Sequence, residues 1–268
     1  MGMAKTIPLV PDTTRMTFGK YLRTSDIAKI VGVHPNTVRL YEEWGYLPPI
    51  PRSRSGYRQF TENHLAQMQL AWIALHADSW HSAKKILSQL VRQAASGDLG
   101  GALELAYTYL STVRSEYVQA EASVEFLERW AAGQATDSTQ TPLRIGEVAR
   151  LLGVSRDVLR NWERDGLIKV PRNLSNGYRL YRAQDIGRLR VLRMLRQAGY
   201  STMAILRMVL ALDTGETTRL REVLDTPGPQ EDVLSAADSW LSSLKDCEQR
   251  GLAVIAHLEG MIDRHRIG

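Results

Sequence analysis

The arginines of this chain gather in two clusters. Arg52, Arg54 and Arg58 surround the hexapeptide "SGYRQF" at residues 55–60, and Arg172, Arg179 and Arg182 surround "NGYRLY" at 176–181. A guanidinium keeps its charge at any physiological pH and presents a rigid fork of N–H donors. Clusters of it therefore suit multidentate bonding to phosphates and to base edges. Residues 142–196 hold 13 Lys and Arg against 5 Asp and Glu, a net +8, and residues 20–76 hold 7 against 4, a net +3. The whole chain is only +5, so its cationic excess is confined to two segments. That distribution predicts two surfaces facing an anionic polymer.

Other chemistries find no footing. Cys247 is the single cysteine, which excludes an internal disulfide and a thiolate cage within one chain. It stands on an apolar stripe and reads as a buried small hydrophobe. His76 and His81 lack an obvious third ligand. No nucleotide loop, Ser/His/Asp order or zinc motif occurs, so neither an enzyme nor a cofactor is expected. No apolar run reaches the roughly 18 residues of a membrane span. The opening "MGMAKTIPLVPDTTRM" has no apolar signal core, and residues 1–19 read as a disordered tail. The expected location is cytoplasmic, on the nucleoid, with no membrane partner.

The local structure around these arginines is duplicated. A shift of 121 residues lays "LRTSDIAKIVGVHPNTVRLYEEWGYL" (22–47) over "LRIGEVARLLGVSRDVLRNWERDGLI" (143–168) without a gap. Gly32/Gly153, Arg39/Arg160, Glu42/Glu163, Gly45/Gly166, Tyr57/Tyr178 and Arg58/Arg179 are among the identities. Each copy predicts helix, tight turn, helix. Thr24 or Ser25 is expected to cap a helix from Asp26 to Val31, and Gly32 to stop it. Pro35 opens a second helix running to Trp44; in the other copy Ser155 caps the second helix and Gly166 ends it. Ile27, Val31, Val33, Val38 and Tyr41 form one inner face, repeated by Val148, Leu152, Val154, Leu159 and Trp162. Each hexapeptide then reads as a small β-ribbon wing with a glycine in its turn.

Thr37, Arg39, Tyr41, Glu42, Gly45, Leu47, Gly56, Tyr57, Arg58 and Phe60 match the pattern of the winged helix-turn-helix of the MerR family. So do Ser155, Leu159, Arg160, Trp162, Glu163, Gly166, Ile168, Gly177, Tyr178, Arg179 and Tyr181. The chain resembles that family over most of 20–90 and 142–210. His34 stands where a capping Ser is usual, Val158 where Thr is usual, and Trp162 where Tyr is usual. The resemblance implies a transcriptional regulator whose partners are double-stranded DNA, RNA polymerase at a promoter and, in some cases, a small-molecule effector. Asn36 with Arg39, and Arg156 with Asn161, are the expected groove-facing residues, with Thr37 and Trp162 beside them. Tyr41, Arg160, Arg52, Arg54, Arg58, Arg172, Arg179 and Arg182 are expected on the DNA backbone. Arg160 has an alternative, an internal pair with Glu163. Tyr57 and Tyr178 accompany the wing contacts, although as aromatic anchors their expected place is the core.

Two long apolar stripes follow. One runs Leu103, Ala106, Leu110, Val113, Tyr117, Ala120, Val124, Leu127; the other runs Val233, Ala237, Trp240, Leu244, Cys247, Gly251, Val254, Leu258, Met261. Their three-and-four spacing is that of a coiled-coil seam. The expected fold is mainly α: two winged helix-turn-helix domains, each followed by a long helix, with the two long helices paired as an intramolecular antiparallel coiled coil. Module one spans 20–90, pairing helix one 100–130, a polar linker 131–141, module two 142–210 and pairing helix two 231–266. Family members are homodimers, so this chain is expected to act as a covalent pseudo-dimer. Its unlike reading helices would address an asymmetric operator and distort promoter DNA. Alternatives are an architectural DNA-bending factor or a small-molecule-binding protein on the same scaffold. For an effector, Trp72, Trp80, Trp130 and Trp240 are the candidate aromatic pocket, with core packing as the other reading.

Overall fold

A computed structural model describes residues 21–76, 84–134, 141–173, 177–228 and 236–267. The expected tail at 1–19, Trp80, His81, most of the linker, Asn176 and Val233 lie outside the described residues. The described chain is mainly α, and it divides into two compact units. One gathers the residues up to Arg114 together with Asp246 onward, and the other spans Ser115–Lys245.

In the first unit, α1 (Thr24–Val31), α2 (Pro35–Glu43), α3 (Glu62–Leu75) and α4 (Lys84–Ala95) follow in order. The cap of α1 differs from expectation. Arg23 is the N-cap, and the Asp26 carboxylate accepts from its backbone N–H at 2.8 Å, so neither Thr24 nor Ser25 caps. Gly32 ends the helix at φ 77°, where an L side chain would be strained, and Val33 N–H returns to the Ala28 carbonyl at 2.9 Å. His34 takes the capping role of a serine: its Nδ1 accepts from Asn36 N–H at 3.2 Å, with Pro35 as first helical residue. Leu22 pairs with Phe60, closing the hexapeptide back onto the residue ahead of α1. Ile27, Val38, Phe60 and Met68 are fully buried beneath this closure. Gln67 is buried with them and donates to the carbonyls of Tyr46 (3.0 Å) and Val91 (2.9 Å), linking α3, α4 and the turn after α2.

The second unit repeats the design. Strand β1 (Leu143–Arg144) pairs antiparallel with β2 (Leu180–Tyr181), with Leu143 opposite Tyr181. α6 (Ile145–Leu152), α7 (Arg156–Arg164), α8 (Ala183–Gln197) and α9 (Thr202–Asp213) correspond to α1–α4, α5 being the long helix (Leu99–Ala131) between the copies. Glu147 accepts from Arg144 N–H at 2.7 Å, as Asp26 does in copy one. Ser155 Oγ caps α7 as expected, accepting from Val158 N–H at 3.1 Å.

The long helices differ. α5 begins at Leu99 and continues to Ala131. The same 121-residue shift places Leu220 at the start of α10 (Leu220–Asp225), but Pro227 and Gly228 follow and the helix stops. A 3-10 turn (Ala236–Ser239) then leads into α11 (Trp240–Ile267), so the second long helix begins later than the expected residue 231. The α10 carboxylate of Asp225 accepts from Ser242 N–H at 3.2 Å in the first turn of α11, where negative charge is favoured. Arg221 of α10 reaches Glu121 and Glu128 of α5.

Each long helix contributes to both units. Within the first unit, Arg114 meets Glu248 at 2.7 Å and Tyr107 donates to Glu259 at 3.4 Å, so numbers rising along α5 meet numbers falling along α11. Gly251 makes room for the Tyr109 ring, from which an added Cβ would sit 3.2 Å. His257 Nε2 donates to the Ala66 carbonyl at 2.8 Å, which fixes the proton on that nitrogen. Burial, reinforced by nearby Arg264, holds the His257 imidazole below its ordinary 6.5. In the unfolded chain it takes up a proton near 6.5, earlier than in the fold, so acidification below that value favours unfolding. The urea midpoint of the first unit should therefore fall between pH 7.5 and 5.5, and His257→Gln should flatten that fall. A midpoint equally steep in pH for both proteins would remove His257 as its source.

Candidate nucleic-acid interface

The outward face of α2 carries Asn36, Arg39, Leu40 and Glu43, all exposed. These positions share one side of the helix because 3.6 residues make a turn. Arg39 Nη1 donates to Asn36 Oδ1 at 3.0 Å, holding the two expected groove-facing residues together. Thr37 is half-buried. On α7 the same face carries Asp157, Arg160, Asn161 and Arg164. Arg164 donates to Asn161 Oδ1 at 2.8 Å, and Arg160 to Asp157 at 2.8 Å. Arg160 thus pairs with Asp157 and not with Glu163, the internal partner considered from sequence. Arg156 is exposed, and its guanidinium lies across Gly146, where an added Cβ would meet it at 2.9 Å.

Tyr41 and Trp162 are core residues. They are 6% and 8% exposed, so most of each ring is packed inside its module. Tyr41 follows Val38, and Trp162 follows Leu159, by three residues on the inner face, so packing claims both. Tyr46 stands edge-on to Tyr41 at 5.5 Å, and burial raises the Tyr41 phenol pKa. Tyr57 and Tyr178 go the other way. They are 74% and 60% exposed, against the core position expected of aromatic anchors. The ribbon alternates, so the buried Phe60 and Tyr181 leave the residue three back on the opposite side. The Arg144 guanidinium stands 5.6 Å from the Tyr178 ring centroid, a cation–π contact.

The wing arginines divide into two kinds. Arg52 pairs across the ribbon with Arg58, and Arg172 with Arg179. Arg52 reaches the Gly56 carbonyl at 3.5 Å and Arg172 the Gly177 carbonyl at 3.3 Å, both exposed. Arg54 and Arg182 are exposed as well, Arg182 supplying the N-cap of α8. The central arginines are already engaged. Arg58 Nε lies 2.6 Å from Glu42, and Arg179 Nε lies 2.6 Å from Glu163. Each pair is about three-quarters buried and joins a wing to the last turn of a reading helix. The Glu163 carboxylate raises the Arg179 pKa further. Leu40 and the two clamping carboxylates were not identified from sequence as site residues; the shared spacing of Glu42/Glu163 and Arg58/Arg179 was the available signal.

The described tryptophans each enter a separate packing. Trp72 stacks on His76 in the first unit, with centroids 3.3 Å apart. In the second, the Trp130 indole covers Gly187, and Trp240 lies on Gly199 while donating to the Ala198 carbonyl at 2.6 Å. Cys247 is buried. Among the described residues, no group of three or more His, Cys, Asp or Glu is placed to hold a metal ion, and no helix is long and apolar enough to cross a membrane.

The wing clamp makes a direct prediction. Removing the charge in Glu163→Gln should cost at most about 1 kcal/mol of global stability, the range of a partly exposed pair. The amides at 172–173 and 177–181 should nevertheless exchange hydrogen markedly faster. Unchanged exchange there would mean that the pair does not hold the wing.

Comparison with known proteins matches these two regions separately. Residues 143–212 match the family described as MerR HTH family regulatory protein, and residues 23–60 the family described as MerR family regulatory protein. The mercuric resistance operon regulatory protein of Bacillus cereus is 33% identical over 82 residues, 31% of this chain and 61% of that one. The HTH-type transcriptional regulator CueR of Escherichia coli O6:H1 is 43% identical over 49 residues, 18% of this chain and 36% of its own length. A probable heavy metal-dependent transcriptional regulator of Haemophilus influenzae is 37% identical over 81 residues, 30% of this chain and 62% of that one. The chain therefore spans between about a third and three-fifths of the length of these relatives. No solved structure matches it. Both matched families are of regulatory proteins and not of enzymes. The same first-helix cap, the same strand closure and the same wing-to-helix ion pair recur in both matched regions, so residues 23–60 and 143–212 are two modules similar to the helix-turn-helix of MerR family regulatory proteins.

Proposed function

We propose that this protein is a sequence-specific DNA-binding transcriptional regulator in which two unlike modules of one chain read two unlike half-sites. The observation that carries the reading is the duplicated wing clamp. In each module a carboxylate holds the central wing arginine, while exposed arginines and an Asn–Arg pair remain on the outward face. A reading helix of this size enters the major groove, and a wing beside it meets phosphates. Arg58 and Arg179 serve in this reading by fixing the wing, and Arg52, Arg54, Arg172 and Arg182 supply the backbone contacts.

The pseudo-dimer is part of the proposal. The opposed run of α5 and α11 contacts within the first unit supports an antiparallel pair, the arrangement that a homodimer of the family makes between chains. Identical subunits read a palindrome. These faces differ at Leu40 against Asn161 and Glu43 against Arg164, so the operator is asymmetric. By the family resemblance the complex acts at a promoter, where bending or untwisting DNA costs a few kcal/mol and is offset by the wing contacts. RNA polymerase is the partner that benefits.

Selection of bound duplexes from a random pool, then footprinting with protein of known solution mass, tests this. Two dissimilar half-sites protected by one chain are expected. A palindrome held by two chains would end the pseudo-dimer reading, and no enriched duplex would end the DNA-binding one. On the selected duplex, Arg54→Ala and Arg172→Ala should each reduce the slope of log affinity against log salt by about 1, the weight of one phosphate contact.

A further inference from the structure

Leu40 is an anomaly on the reading face of module one. It is 41% exposed, beside the hydrogen-bonded Asn36–Arg39 pair and in line with the exposed Glu43. On α7 the corresponding position is Asn161, and the whole outward face is polar: Asp157, Arg160, Asn161 and Arg164. Leu40 is thus the one exposed aliphatic side chain on either reading helix among the described residues. Val38 and Leu159 are buried, and Val158 is half-buried.

An exposed leucine there has a narrow choice of favourable neighbours. The edges of base pairs in the major groove present hydrogen-bond donors and acceptors, and the apolar group among them is the thymine C5 methyl. Leucine over an amino group or a ring nitrogen would strip water from a polar atom and return no bond, which is unfavourable. Over a methyl group it removes apolar surface from water on both partners. Asn161 has the opposite requirement, since a carboxamide suits the adjacent donor and acceptor of an adenine edge.

Resting on the DNA-binding reading above, we propose that Leu40 is a specificity-determining residue that packs on a thymine 5-methyl group in the half-site of module one. Asn161, at the same place in module two, hydrogen-bonds a base edge. The two half-sites are then told apart by different physics: burial of a methyl group in one and a paired donor and acceptor in the other. Module one therefore prefers thymine at that position, because the other bases offer Leu40 no methyl group.

Deoxyuridine differs from thymidine only in lacking that methyl group, so it isolates the contact. In the duplex selected from the random pool, each thymine is replaced singly by deoxyuridine and the affinity of the full chain is measured. At one thymine in one half-site the replacement should weaken binding about fourfold, the effect of a single buried methyl group. In Leu40→Asn, which installs the residue that module two carries at an exposed position, the same replacement should make no difference. Melting temperature checks that the variant is folded. If every replacement is neutral for the unmodified protein while it still binds the duplex specifically, or if Leu40→Asn keeps the sensitivity, the inference is overturned. Failure to select any duplex would instead remove the DNA-binding reading beneath it.

Discussion

The contact between Glu42 and Arg58, repeated as Glu163 and Arg179, joins two pieces that are weak alone. A nine-residue helix is too short to persist in water by itself, and a ribbon with a single cross-strand bridge has little ladder to define its angle. The ion pair ties the last turn of the helix to the middle of the ribbon. Its partial burial makes that link directional, since each charge needs the other as partner. Phe60 and Tyr181 then close the ribbon onto the core. The outward faces can differ freely between copies because the parts that fix them in place are the same.

Much of this was legible because it is duplicated. Pro35 and Ser155 announced the second helices, and the glycines after α1 and α6 announced the turns. The first helices are capped by a different group from the one expected. Thr24 and Ser25 are capping residue types, but copy two has Ile145 and Gly146 there, while a carboxylate recurs as Asp26 and Glu147. The shared carboxylate was the signal, and it works by reaching back to the N-cap amide. The wing tyrosines follow a parity rule of the same kind. Tyr57 and Phe60 are separated by an odd number of residues, so an alternating ribbon can bury only one of them.

Pairings beyond one element were less legible. Arg160 could have met Asp157 or Glu163 by helical spacing; only the fold reveals that Arg179 has taken Glu163. The apolar stripes of the long helices were visible, yet the division of each helix between units was not. A seam records that a face is buried, not which neighbour covers each turn. The break after α10 is also written in the sequence: Pro227 cannot continue a helix, and the second apolar stripe begins only after it.

The discontinuous first unit has a consequence for how the protein is made. Its early segment, up to Arg114, leaves the ribosome long before the segment from Asp246 onward that packs with it. The intervening Ser115–Lys245 unit is contiguous and is complete before the first unit receives its last helix. Folding in order of synthesis is therefore inverted: the unit begun first closes last. Until then, the buried faces of Ala106, Tyr109 and Val113 lack the α11 residues that belong to their unit. A nascent chain stalled before Asp246 would display this apolar face.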